Sequence, residues 1–244
     1  MFRLFFACLF LAPSFCSADI VWEVSGTSAK GTAISARAEM VVTSASYTLT
    51  LVNTSGETLN PDDVLTSFYF NAIETPGEPA FGAYSATGDV WQADAAGSDT
   101  LIESNADMVA IAKKSGKWQF KAMDQTATPY GNFGVGTVGN SGLGVNGFDG
   151  SIVQSINYGI FVDDISTNNL SGELLVKDQI TFQWDNLTGA TNQQFSELAV
   201  FGFGTAPDSL HFTGVPEPSA LMFLGLVGGI LATRRRRLVS NPSY

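Results

Sequence analysis

Between residues 19 and 214, apolar side chains recur at every second position in short runs, and nowhere at the spacing of a long amphipathic helix. Successive side chains of a strand point to opposite sides, so such runs bury one face only by lying in a sheet. Ile20, Trp22 and Val24 alternate with Val21, Glu23 and Ser25, and Trp118, Phe120 and Ala122 with Lys117, Gln119 and Lys121. Ile180, Phe182 and Trp184 alternate with Thr181 and Gln183, and Ala199, Phe201 and Phe203 with Val200 and Gly202. Residues 32–43, 47–52, 68–70, 107–112, 152–163 and 173–177 read as further strands, separated by Gly, Asn, Asp and Ser. The pattern predicts an all-β chain with one domain over residues 19–214. The expected architecture is a single antiparallel β-sandwich, jelly-roll or immunoglobulin-like, with about eight to ten strands. Trp22, Trp118 and Trp184 fall on inward positions and are expected in its core.

The two ends follow a different pattern. Residues 1–18 carry Arg3, the apolar run Leu4 to Ala12, and small residues up to Ala18, which fits a signal peptide cleaved between Ala18 and Asp19. Both cysteines, Cys8 and Cys16, lie in this segment, so the processed chain would hold no disulfide or cysteine metal site. Near the other end, Val215-Pro216-Glu217-Pro218-Ser219 precedes an apolar stretch and Arg234 to Arg237. A transmembrane helix is expected at about 219–233; its apolar part, Ala220 to Ala232, covers roughly 20 Å as a helix, short of a ~30 Å bilayer core. The arginines should stay in the cytoplasm, leaving residues 238–244 as a cytoplasmic tail and the β domain across the membrane.

Charge follows the same division. The formal net charge is −11, yet Arg3 and Arg234 to Arg237 lie in the terminal segments while all 23 acidic residues lie from Asp19 to Glu217. So acidic a domain is not expected to bind nucleic acid, whose phosphates need a basic partner.

The order Val-Pro-Glu-Pro-Ser, glycine-containing apolar segment, arginine cluster and chain end resembles the PEP-CTERM sorting signal of Gram-negative bacteria. Pro216, Glu217 and Pro218 carry the match, with Val215 and Ser219 beside them and Arg234, Arg235, Arg236 and Arg237 as the basic end. The resemblance implies a sorting signal over 215–237 and export by the Sec machinery. It further implies transient anchorage in the inner membrane and processing by exosortase near the Pro-Glu-Pro. The expected destination is the cell surface or an exopolysaccharide-containing biofilm matrix. Leu49 to Ser55, Asn60 to Phe70 and Phe201 to Thr205 are similar to segments of exosortase-dependent surface proteins, which implies a surface protein and supplies no catalytic residue.

Within the domain, candidate sites are sparse. Asp62-Asp63 and Asp163-Asp164 are the paired carboxylates and could begin a Ca²⁺ site, though neither has calcium-loop spacing. Turn or helix-start chemistry is the better reading of each, because Asp caps backbone N–H groups. Asp89, Asp94 and Asp99 are expected on another loop. Paired acids are also what a glycoside hydrolase needs, but only on either side of a sugar bond. Trp91, in the stretch Gly88 to Gln92, is the tryptophan expected to be partly exposed and could hold a sugar. His211 is expected outside the core, which argues against a catalytic triad. Residues 131–150 are rich in glycine and read as a loop or loose hairpins; within them, Gly134 to Gly139 matches G-x-G-x-x-G without a following helix. Lys113, Lys114, Lys117 and Lys121 suit an edge that resists strand pairing better than a polysaccharide dock. Sequons at Asn53, Asn169 and Asn186 are expected to be accidental in a Thr- and Ser-rich chain. No cofactor is expected, and the chain reads as a non-enzymatic surface protein, with a carbohydrate-binding module as the alternative.

Overall fold

The structure, a computed structural model, describes residues 18–43, 45–73, 81–94, 99–109, 117–122, 131–137, 156–162, 170–185, 194–204 and 211–216. Among these residues the strands are β1 (Ala18–Thr27), β2 (Ala33–Val42), β3 (Tyr47–Asn53), β4 (Leu65–Ile73), β5 (Tyr84–Gln92) and β6 (Thr100–Asp107). They continue with β7 (Trp118–Ala122), β8 (Phe133–Thr137), β9 (Ile160–Phe161), β10 (Leu174–Trp184), β11 (Gln194–Phe203) and β12 (His211–Pro216). A one-turn 3-10 helix at Pro61–Asp63 precedes β4. All twelve strands join one mostly antiparallel sheet in the order β6-β5-β10-β3-β2-β1-β12-β11-β4-β8-β7, with β9 between β10 and β4.

Alternation explains the strands locally. In β2, Ile34, Ala36, Ala38, Met40 and Val42 are buried, while Ser35, Arg37, Glu39 and Val41 are half-buried on the other face. On that face Arg37 pairs with Glu39 at 2.9 Å and with Glu23 of β1 at 3.4 Å. The turn into β2 needs a left-handed residue, and Gly31 supplies it at φ +88°, donating to the Ser28 carbonyl at 2.9 Å.

The sheet folds over on itself. Trp22 of β1 meets Phe68 of β4 at 5.6 Å, Tyr47 of β3 meets Phe195 of β11 at 5.9 Å, and Trp184 of β10 meets Phe120 of β7 at 5.0 Å. None of these strands are sheet neighbours. The rings therefore meet across an interior enclosed by two facing halves, as in a sandwich. β9 stitches the halves by pairing with β10 in parallel and with β4 in antiparallel. A parallel bridge between Val109 and Trp118 joins the two ends of the strand path. A smaller cluster, Val64, Ala93, Ile156, Phe161, Leu170 and Leu175, lies outside this interior with Trp91 packed on it.

Several expectations change. The loop expected around Asp89 is instead part of β5, because pairing with β10 and β6 offsets the weak strand preference of Gly88 and Asp89. Of the strand expected at 107–112, Asp107 ends β6, Val109 makes an isolated bridge to Trp118, and residues 110–112 lie outside the described residues. The runs at 173–177 and 180–184 are one strand, β10, interrupted by a bulge. The glycine-rich segment contains β8, where Phe133 and Val135 face the core while Gly134 and Gly136 pair with Tyr69 and Ser67 of β4. Among the described residues no helix is long and apolar enough to cross a membrane, and the helix expected at 219–233 lies outside them.

Candidate functional site

Two irregular strands make a depression on the outward side of the sheet. The β5–β10 register shifts between Val176 and Ile180, and the β5–β6 register shifts between Gly88 and Trp91. The left-handed residues Asp178 (φ 63°) and Asn105 (φ 50°) lie in β10 and β6. Asx residues tolerate that conformation best among side chains with a Cβ, and bulges bend a strand locally. Gly88 allows close approach from below, since a Cβ there would lie 2.9 Å from the Val176 side chain.

The resulting hollow has a volume of about 140 Å³ and is lined by Thr87, Gly88, Asp89, Asn105, Lys177, Gln179 and Thr181. Thr87 and Thr181 are cross-strand partners. Asp89 accepts hydrogen bonds from the Asn105 N–H at 2.8 Å and the Ser104 hydroxyl at 3.1 Å, which holds the left-handed turn of β6 in place. Thr87, Asn105 and Gln179 are exposed.

Trp91 lies two residues beyond Asp89 on the same outward face of β5, opposite Leu175. It is a strand residue, half-buried against the outer cluster, with the Lys177 ammonium 5.0 Å from its ring centre and 5.9 Å from that of Phe161. Its indole N–H is buried without a hydrogen-bond partner. Beneath the face, Tyr84 packs on Phe120 and Trp184, and burial pushes its phenol above the ordinary 10.0. The Phe120 N–H, donating to the phenol oxygen at 3.0 Å, acts the other way, and Asp107 adds to the rise.

The paired aspartates are placed differently. Asp63 is fully buried, and its Oδ2 accepts from the Leu59 and Asn60 N–H groups at 3.0 and 2.9 Å, closing the 3-10 turn. Its Oδ1 is buried with no hydrogen-bond partner, while Asp62 is half-buried. Asp163 and Asp164 lie outside the described residues, but the chain just before them is tied to this turn. Asn53 donates to the carbonyls of both Asp63 and Ile160, and Thr58 accepts from the Val162 N–H at 3.0 Å. Among the described residues no group of three or more His, Cys, Asp or Glu side chains could hold a metal ion. Asp94 and Asp99 flank the β5–β6 connection, with the Asp94 N–H donating to Asp99, whereas Asp89 belongs to β5 rather than to a loop.

Trp22, Trp118 and Trp184 are fully buried. Asn53 is 2% exposed and spends its amide on two backbone carbonyls, so its sequon is structural; Asn169 and Asn186 lie outside the described residues. Gly134 to Thr137 belong to β8, so that part of the G-x-G-x-x-G match is strand. Lys121 lies on β7, the last strand of the path, Lys117 immediately precedes it, and Lys113 and Lys114 are outside the described residues. His211 opens β12, a strand the sequence did not suggest, paired there with Gly202. Ala18 and Asp19 begin β1 opposite Val42 and Val41. Val215 and Pro216 end β12 opposite Glu23 and Trp22 of β1, and Glu217 to Arg237 lie outside the described residues.

Thr87, Asn105, Gln179 and Thr181 carry no site signal in the sequence because each is an ordinary polar strand residue. The alternation that marks Ile180 and Phe182 as inward also marks Gln179 and Thr181 as outward, but only pairing sets them beside Thr87. No protein-family model, no curated protein and no solved structure matches this chain.

Proposed function

We propose that the chain is an exported, non-enzymatic cell-surface or biofilm-matrix protein of a Gram-negative bacterium, sorted by a PEP-CTERM signal and processed by exosortase. In this reading the signal peptide ends at Ala18, the exported body is a jelly-roll or immunoglobulin-like β-sandwich, and the arginines halt translocation. The observation that carries it is the order of Val215 to Ser219, apolar segment and Arg234 to Arg237 at the C-terminus. The position of Pro216 at the end of β12 supports it, because the remaining signal then follows the last described strand. Removing residues 217–237, which spares β12, should release the protein from the membrane fraction and change its processed mass. Unchanged location and processing, read by fractionation and intact mass, would exclude the sorting role.

A second reading, a carbohydrate-binding module for exopolysaccharide, draws support from the half-buried Trp91 beside a polar hollow. Polysaccharide pull-down lost in Trp91→Ala favours it; absence of binding across matrix polysaccharides counts against it.

A further inference from the structure

The lining of the hollow between β5 and β10 constrains its ligand more narrowly than Trp91 alone. Gln179 offers a carboxamide and Thr87 and Thr181 offer hydroxyls, groups that each donate and accept hydrogen bonds. A simple anion only accepts and an ammonium only donates, so neither uses such a lining fully. A polyol does both. The charge around the hollow also selects. Asp89 lines it, Asp178 adjoins Gln179, Asp107 pairs with Thr87, and the chain as a whole is strongly acidic, which disfavours a polyanion despite Lys177. The size selects again: about 140 Å³ is well below the ~300–1,000 Å³ of pockets that enclose drug-sized ligands. A hollow this small on an open sheet face suits one ring of a longer chain that continues over the surface.

We propose that this hollow binds one pyranose ring of a neutral polysaccharide. Gln179, Thr87 and Thr181 make the hydrogen bonds, and the ring of Trp91, further along the same face, contacts the next sugar. The inference rests on the carbohydrate-binding reading and adds to it the ligand class and the residues that recognise it.

The test is calorimetric titration of the full chain, as isolated from cells, with cellohexaose, mannohexaose, xylohexaose and hexamannuronate. A single-site isotherm is expected with at least one neutral hexamer. Gln179→Ala and Thr181→Val should each weaken it about threefold to tenfold, the loss of one hydrogen bond. Thr213→Ala on the distant strand β12, where the side chain is exposed, should leave it unchanged, and melting curves check that each variant is folded. Preference for hexamannuronate, or no binding of any neutral hexamer, overturns the proposal. Binding that falls in Trp91→Ala but is untouched by Gln179→Ala and Thr181→Val also overturns it, while leaving carbohydrate binding as such intact.

Discussion

On the inward side of β10, Val176, Ile180, Phe182 and Trp184 are fully buried, with rings from β5 and β7 packed on the last two. On the outward side of the same strand, Lys177, Gln179, Thr181 and Gln183 are at least partly open to solvent. One face is fixed by close packing, where a missing methylene leaves a void that neighbours cannot fill. The other is fixed only where backbone shape depends on it, at the bulge and its left-handed Asp178. Binding chemistry on the outward face can therefore change without disturbing the interior, and the interior can be damaged without touching the hollow.

The sharpest break of this contrast is Phe182→Ala. It should cost about 3–5 kcal/mol in urea unfolding; a loss below about 1 kcal/mol would mean that the facing halves are not packed as described. Asp178→Val should cost about 1–2 kcal/mol, because a β-branched side chain is strained at φ 63°, whereas Asp178→Gly should cost nothing or stabilise. Equal stability of the two variants would remove the bulge from the explanation of the hollow.

Tyr84 tests the interior by pH. Burial raises its folded-state pKa above 10.0, so the unfolded chain gives up this proton first. The stabilisation is complete below about pH 10 and is lost as pH rises through the folded value. The fall in Tm above pH 10 should be shallower in Tyr84→Phe than in the parent protein. The smallest effect is expected at Gln179→Ala, within about 0.5 kcal/mol of the parent in the same unfolding experiment, as befits an exposed side chain.

Legibility in the sequence divided along the same lines. Trp22, Trp118, Trp184, Phe182 and Phe201 announced their inward positions through period-two spacing, and all are buried. β5 and β12 were not legible. Gly88 and Asp89 have poor strand preference, and His211 to Pro216 end in a proline; each segment becomes strand through pairing with neighbours distant in sequence. Asp63 read as a possible cation ligand or turn residue, and in the structure it accepts hydrogen bonds from the Leu59 and Asn60 N–H groups of its own turn. The hollow was invisible because Thr87, Asn105 and Gln179 come from three strands.

By itself, the sequence determined the all-β class and the inward aromatic residues, because strand alternation is a local property that each short run carries within itself. Only the tertiary structure decided that one sheet closes over its own core, that β1 and β12 lie side by side, and that bulges in β6 and β10 open a polar hollow. These depend on which strands pair and in what register, and pairing energy is shared between segments that neither run specifies alone.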